Sequence, residues 1–294
     1  MTLTQIEQDV LRRLGYATAS VDATTKTRLD ALINETQQEI LSEPGMESLL
    51  FDAMTFASGA STPTYALPQA VARIRQVYDT TNLIVLQPRN LDWYRQHFPS
   101  PTAVTGIATN WIDLGYTAVS VQPSAAAEIF VKSTSASDTN TAYLEGYRTG
   151  GYFISLNVTM TGVTAKSMGT AYTDLIEITK CYVSAAAVGT ITWNQTSGAG
   201  TELSRIPIGQ TQARYRTIAL AITPASAVTY TVDYERDVQD MSVANDEPLL
   251  PPRFHRLLAI GARMREYEKQ DQPRYKIAQA EYLNGLRKLK FFVY

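Results

Sequence analysis

Residues 152–158 read Tyr-Phe-Ile-Ser-Leu-Asn-Val, a run in which apolar and polar side chains alternate. A period of two is typical of a β-strand, because successive side chains point to opposite faces. Similar runs, rich in β-branched and aromatic residues, recur at 127–131, 174–179, 189–193, 218–222 and 229–234, and turn-forming residues such as Thr149-Gly150-Gly151 separate them. Short strands at regular spacing predict an antiparallel β-sandwich over residues 116–233. The sandwich is Ig-like in architecture only, because the chain has a single cysteine.

The charge distribution supports the same division of the chain. Residues 116–232 hold 31 Ser and Thr but only 13 charged residues, whereas the 177 flanking residues hold 41 charged residues. Over the 294 residues, 26 Lys and Arg face 28 Asp and Glu, which gives a net charge of -2. That balance argues against a free-standing nucleic-acid binder, which needs a broad basic excess. The hydrophobic content of 45% argues against intrinsic disorder.

The flanks carry helical periodicity. Thr4-Gln5-Ile6-Glu7 predicts a capping box, and Gly15 predicts the end of the first helix. Further helices are expected over 25–41, 91–98, 253–269 and about 271–290, the last one capped by Asp271 with Pro273 in its first turn. An inward apolar strip is expected along this last helix, formed by Ile277, Ala280, Leu283, Leu286 and Leu289.

These patterns predict an α+β fold. The N- and C-terminal helices form a helical bundle core from residues 1–115 together with 234–294, with short strands at about 51–56, 73–79 and 83–86. The Ig-like sandwich, residues 116–233, is inserted into this discontinuous core, an arrangement that surface loops tolerate. The alternative is that the β-rich segment is integral to one α+β core.

The sequence offers few residues for chemistry. It lacks nucleotide-binding, zinc-protease and serine-hydrolase motifs. His97, His255 and Cys181 are expected to serve packing, and the Asp246-Glu247 pair is expected to lie in a solvated turn. We therefore expect no catalytic residues, no cofactor and no metal site, and we do not expect an enzyme. No clustered aromatic stripe that would suit a sugar is evident along the β-rich segment.

No targeting or membrane segment is expected. Residues 1–14 carry Glu7 and Asp9 and lack the apolar centre of a signal peptide. No run of about 18 apolar residues is present for a membrane span. We therefore expect the protein in the cytoplasm where it is made, or in a particle that is assembled there.

The C-terminus combines cations with aromatic residues. Between Arg253 and Lys290, ten Lys and Arg face four Asp and Glu, a local excess of six positive charges. Two interpretations are open: the cations complement a helix C-terminus and the tail folds onto its own core, or the tail is an arm that docks on a partner. The candidate docking residues are Arg287, Lys288, Lys290, Phe291, Phe292, Val293 and Tyr294.

Several stretches resemble the head-to-tail adaptor (connector) proteins of tailed bacteriophages. Residues 245–262 read NDEPLLPPRFHRLLAIGA and are similar to a turn in that family that enters a helix containing Gly-Ala. Tyr267, Pro273 and Tyr282 fit the continuation, and 32–40, LINETQQEI, is similar to the second N-terminal helix of such adaptors. The middle, including Ile206-Pro207-Ile208-Gly209, resembles the Ig-like insertion that a subset of the family carries.

The resemblance implies a structural virion protein at the head–tail interface. Such adaptors form a ring, usually of twelve copies, under the portal protein. The ring joins capsid to tail, lines the DNA passage used in DNA ejection, and implies three partners: the portal, tail proteins (nozzle or tail-completion) and, transiently, genomic DNA. Residues 287–294 would then dock on the portal.

Three alternatives stay open at this point. One is a tail-tube or tail-completion protein, and another is a virion-associated enzyme that degrades cell wall. The third is a carbohydrate-binding module, which an exposed aromatic row on one face of the sandwich would favour.

Overall fold

A computed structural model describes residues 1–16, 21–59, 63–68, 70–98, 104–197, 200–270 and 273–293. The described residues form helices at both ends of the chain and strands between them. The α-helices are α1 (Leu3–Leu14), α2 (Ala23–Ser42), α3 (Leu91–His97), α4 (His255–Lys269) and α5 (Tyr275–Val293). Short 3₁₀ turns cover Glu47–Leu50 and Pro252–Phe254.

The strands are short, as the alternating runs predict. In chain order they are β1 (Phe51–Ala57), β2 (Thr64–Ala66), β3 (Val71–Asp79), β4 (Ile84–Arg89), β5 (Thr105–Gly106), β6 (Asn110–Thr117), β7 (Phe130–Ser133), β8 (Thr141–Arg148), β9 (Phe153–Thr159), β10 (Lys166–Ser167), β11 (Leu175–Val183), β12 (Ile191–Asn194), β13 (Glu202–Ile206), β14 (Tyr215–Leu220), β15 (Thr223–Pro224) and β16 (Thr229–Arg236). The predicted α+β class is confirmed.

The chain divides into two compact units. Residues Met1–Phe51 and Glu235–Tyr294 form the first, here called the helical unit, and Asp52–Tyr234 form the second, the sheet unit. The predicted insert, residues 116–233, covers only part of the sheet unit. Its N-terminal boundary falls inside β6, which pairs with β4 on one side and β14 on the other.

In the helical unit, α1, α2, α4 and α5 surround one apolar core. Its fully buried members include Ile6 on α1, Ile33 on α2, Leu258 on α4 and Leu289 on α5. Burial of such side chains stabilises a helix more than its intrinsic propensity does.

Helices α1 and α2 start two residues earlier than predicted, because in each case a residue nearer the N-terminus takes the capping position. The predicted Thr4–Glu7 capping box is wrong, because α1 begins two residues earlier and Gln5 Oε1 accepts the Thr2 amide at 3.1 Å. Thr4 Oγ1 instead donates to the Ala244 carbonyl. Helix α2 begins at Ala23 rather than Thr25, since the Asp22 carboxylate accepts the Thr25 amide at 2.8 Å.

The last helix also starts later than predicted. Helix α5 begins at Tyr275, so Pro273 precedes it instead of lying in its first turn. The predicted cap, Asp271, lies outside the described residues.

The sheet unit holds a seven-stranded sheet with the order β1-β16-β3-β4-β6-β14-β2, in which β4 and β6 run parallel. A four-stranded sheet, β10-β7-β12-β13, and a three-stranded sheet, β11-β8-β9, lie between β6 and β14 in the chain. These two smaller sheets share one buried core that contains Trp193, Leu144 and Ile178. Residues distant in sequence therefore meet there.

Candidate docking site on the C-terminal helix

The predicted docking residues belong to a helix. Helix α5 runs without interruption to Val293, so the described part of the tail is helical. Seven residues were candidates, and Tyr294 lies outside the described residues. The other six divide between the two faces of α5, because residues three and four apart share a face.

The inward face anchors the tail to the helical unit. Val293 packs against the core, and Lys290 Nζ lies 2.8 Å from Glu43 Oε2. The Phe292 ring is 48% exposed at the border of this face and lies 5.5 Å from the Phe254 ring. The Arg253 guanidinium lies 3.2 Å from the centroid of the Phe292 ring. These three candidates therefore hold α5 in place.

The outward face carries the other three candidates. Phe291 is 80% exposed, and Arg287 and Lys288 are exposed one turn earlier. Neither cation has an ion-pair partner within the described part of the chain. An exposed aromatic ring beside two free cations offers both apolar contact area and charge to a partner.

The same face extends toward the start of α5. Ile277 is 65% exposed and Leu283 is 52% exposed. The predicted inward strip is therefore wrong in part: Leu286 and Leu289 are buried, whereas Ile277, Ala280 and Leu283 are exposed. The residues that do face the core are Ala278, Tyr282, Leu286 and Leu289.

This error has a simple cause. Apolar residues surround α5, so two periodic strips can be drawn through them, and only the packing partners decide between the strips. We call the exposed strip the outer α5 face; its members are Ile277, Leu283, Arg287, Lys288 and Phe291.

The residues considered for chemistry have packing roles. The His97 ring stacks on Trp93 at 4.7 Å, and buried His255 contacts the Leu250 carbonyl through Nε2 at 2.8 Å. Burial raises the pKa of the Cys181 thiol to about 12, which keeps it protonated and unreactive. Asp246 accepts the amides of two preceding residues, Ser242 and Val243, as a turn residue.

Sequence reasoning missed a buried acidic contact between α1 and α2. Glu7 is buried, and its Oε2 lies 3.6 Å from Lys26 Nζ. Oε1 of Glu7 and Oδ1 of Asp30 are buried without a donor. Burial, and then the neighbouring Asp30 carboxyl, raise the pKa of Glu7 to about 7. Its position in an apparent capping box hid this role.

Metal binding and membrane insertion each require a recognisable arrangement of residues. In the described part of the chain no group of three or more His, Cys, Asp or Glu side chains is placed to hold a metal ion. Within those same residues no helix has the length and apolar content to cross a membrane.

Comparison with known proteins gives the family. No curated protein matches the chain. The family model described as "SU10 adaptor protein" matches residues 1–151, which include α1 to α3 and the first strands of the sheet unit. Because the match spans more than half of the chain, the protein belongs to the SU10 adaptor protein family and is a structural adaptor of a bacteriophage virion.

Proposed function

We propose that the protein is a head-to-tail adaptor that forms a ring of twelve copies under the portal, joins the capsid to the tail and lines the DNA passage. Family membership implies contacts with other head and tail proteins. The ring, its stoichiometry and its portal contact follow from the resemblance of the sequence to adaptor proteins. A closed ring requires a heterologous interface, in which two different surfaces of each copy meet.

In this proposal the two units have different roles. The helices α1, α2, α4 and α5 act as the helical bundle core of the adaptor, which builds the ring at the head–tail interface. The two smaller sheets of the sheet unit act as the inserted Ig-like sandwich, and their common core around Trp193 supports that assignment. The sandwich would contact the surroundings of the ring instead of the DNA.

The outer α5 face is the proposed portal-docking surface, and the exposure of Phe291 is the observation that carries it. Phe291 would enter an apolar pocket of the portal. Arg287 and Lys288 would form the charged rim around that contact, which is the usual arrangement of an interface anchor. Lys290, Phe292 and Val293 would act indirectly, because they fix α5 to the helical unit.

The charge of the chain suits a conduit for DNA. The net charge is only -2. A strongly basic lumen would hold the DNA through its phosphates, whereas a nearly neutral one allows transient contact and passage. No catalytic step is part of this proposal, and a turnover assay on peptidoglycan should show no activity above a buffer control.

Binding of a Phe291→Ala variant to purified portal rings tests the docking surface. We expect the variant to bind at least about tenfold more weakly than the wild type, because loss of an interface anchor costs about 2 kcal/mol or more. The far-UV circular dichroism spectrum of the variant should be unchanged, since the Phe291 side chain is exposed and does not contribute to the core. Phe153→Ala is the matched control, as it removes an exposed phenylalanine from the sheet unit. Unimpaired binding by Phe291→Ala would contradict this surface.

A further inference from the structure

The three-stranded sheet carries an aromatic face that no single stretch of sequence shows. The strand register places Tyr182, Tyr143 and Asn157 side by side in one row. Four residues further along β8, Tyr147 lies between Phe153 on β9 and the exposed Glu177 on β11 in a second row. Side chains at alternate positions share a face, so both rows lie opposite the buried residues of β8.

The rings in each row touch. Tyr143 and Tyr182 stack with centroids 4.7 Å apart and ring planes 3° from parallel. Tyr147 and Phe153 meet edge to face at 5.7 Å. Phe153 is 58% exposed, and Tyr152, in the turn before it, is 73% exposed. The rise of a strand separates the two rows by about 13 Å. We call this surface the aromatic face.

A polar row lies between the two aromatic rows. Glu145 on β8 is flanked by Lys180 on β11 and Ser155 on β9. Lys180 Nζ lies 2.9 Å from Glu145 Oε2, so these two charges neutralise each other. Besides Phe153, strand β9 adds hydroxyl and amide groups to this face, from Ser155, Asn157 and Thr159. The centre of the aromatic face is thus polar without a net charge.

The edge of the sheet is open and uncharged. Residues 149–165 contain no Asp, Glu, Lys or Arg. Within the described ranges β9 pairs only with β8. Edge strands are usually protected by charges, proline or short length. This edge has no charge or proline and carries an exposed phenylalanine, so it is accessible to a partner.

The four-stranded sheet has no such face. Thr192 and Asn194 of its central strand β12 are buried, as are all four residues of that strand. The register places Lys132 and Arg205 on either side of Thr192, and Arg205 Nε lies 2.8 Å from Glu202 Oε1. Of the two smaller sheets, the three-stranded one therefore carries the exposed aromatic rows.

We propose that the aromatic face binds a neutral polysaccharide. A sugar ring has an apolar face of C–H groups, which packs on an aromatic ring, and a rim of hydroxyl groups, which need hydrogen-bond partners. Phe153 and Tyr147 supply the apolar contact at one end, and Tyr143 and Tyr182 supply it at the other. Ser155 between the rows and Asn157 beside Tyr143 bind the sugar hydroxyls, and the spacing of the rows suits a chain of several sugars.

The charge pattern favours this ligand over the alternatives. An acidic polymer would require free cations, but Lys180 is paired with Glu145. The core of a protein interface is depleted of charged residues, whereas here the Glu145–Lys180 pair lies between the aromatic rows. This inference is independent of portal docking, because the aromatic face lies on the sheet unit and the outer α5 face on the helical unit.

Saturation-transfer NMR of the full chain with maltohexaose, cellohexaose and chitohexaose tests the proposal. At least one of these neutral chains should bind, and an acidic hyaluronan hexasaccharide should not. Phe153→Ala removes an aromatic ring and should weaken sugar binding at least tenfold. Tyr147→Phe removes only a hydroxyl group and should retain most of the binding, since the aromatic ring remains. Phe291→Ala should bind like the wild type.

Three results would overturn the carbohydrate assignment. The first is that none of the three neutral chains binds. The second is that Phe153→Ala binds sugar as well as the wild type while its circular dichroism spectrum is unchanged. The third is that the face captures a purified virion protein in a Phe153-dependent manner and no sugar competes. Loss of sugar binding with intact portal binding, or the reverse, separates this proposal from the docking proposal.

Discussion

The buried acidic side chains of the helical unit and of the sheet unit have different kinds of partner. In the helical unit, buried Glu7 and Glu266 depend on side chains of α2: Lys26 for Glu7, and Arg28, whose Nη2 lies 2.9 Å from Glu266 Oε1. In the sheet unit, buried Asp138 accepts the backbone amides of Val188 and Gly189 at 2.8 and 2.9 Å.

This difference follows from what each element leaves unpaired. A helix satisfies its own backbone, so contacts between helices must come from side chains. A loop between strands leaves amides free, and a carboxylate can satisfy them. The two units should therefore respond differently to substitution and to pH.

The largest effect is expected from Trp193→Ala. Trp193 is fully buried in the core that the two smaller sheets share. Its truncation should lower the free energy of unfolding of the sheet unit by about 3–5 kcal/mol. The three tryptophans, Trp93, Trp111 and Trp193, all belong to that unit. Denaturant unfolding followed by the fluorescence of the remaining two will measure the loss.

Trp93→Ala is the control for this substitution, because Trp93 is only half-buried and should cost less. Helical circular dichroism reports mainly on α1, α2, α4 and α5. If the denaturant midpoint of unfolding, measured by fluorescence, were the same for Trp193→Ala and the wild type, the claim that this core stabilises the sheet unit would be contradicted.

Asp138→Asn should destabilise the sheet unit by roughly 2–3 kcal/mol near neutral pH, the scale of hydrogen bonds to a charged group. Burial raises the pKa of Asp138, but the hydrogen bonds from Ser133, Val188 and Gly189 outweigh it, and the pKa lies below its ordinary value. The stabilisation is present above the ordinary pKa and is lost as pH falls through the folded value. Unfolding by urea at several pH values measures it.

The exposed acid Glu177 provides the comparison, and Glu177→Gln should change little. If the free energy of unfolding depended on pH in the same way in the wild type and in Asp138→Asn, ionisation of the Asp138 carboxyl would not be the source of this stabilisation.

Gly261→Ala probes the contact between α4 and α2. A methyl group at Gly261 would overlap the Thr36 side chain, which is fully buried and whose Oγ1 donates to the Leu32 carbonyl at 2.7 Å. A loss of about 1–3 kcal/mol is expected from such overpacking, measured by helical circular dichroism in urea. At Gly285 the nearest atom is the end of the flexible Leu257 side chain, so Gly285→Ala should cost less. A larger loss of stability for Gly285→Ala than for Gly261→Ala would contradict the tight contact between Gly261 and Thr36.

The smallest effect, and one of opposite sign, is expected in the helical unit from Glu7→Gln. Since the pKa of Glu7 is raised from 4.5 to about 7, its contribution to stability is present below pH 4.5 and lost as pH rises through 7. Glu7→Gln should therefore stabilise the unit by roughly 1–2 kcal/mol at pH 8 and by much less at pH 5. Thermal unfolding at both pH values measures it, with the exposed Glu268→Gln as control. Stabilisation of the same size at both pH values would rule out ionisation of Glu7 as its cause.

Local signals in the sequence predicted the elements well. The helices were found from apolar periodicity and end signals such as Gly15, which adopts the left-handed conformation at the end of α1. The starts of α1 and α2 differ from prediction by two residues, because Thr2 and Asp22 compete with neighbouring capping residues. The start of α5 differs by about four residues. Strand β9, Phe153–Thr159, lies within one residue of its predicted span.

Non-local features could not be predicted. The side of α5 that packs inward is decided by its contact with α4, where the Leu257 side chain lies close to Gly285 of α5. The aromatic face depends on register: Tyr143 and Tyr182 are 39 positions apart in sequence and meet through strand pairing. A scan for a continuous aromatic stripe therefore missed it.

The most direct test of the central claim is the mass of the complex formed between the wild-type protein and the portal ring of its own phage. Native mass spectrometry should show a protein that is monomeric alone and that adds twelve copies of its 32.5 kDa chain per portal ring. Failure to bind the portal, or stable stacking on tail-tube rings in its place, would contradict the account.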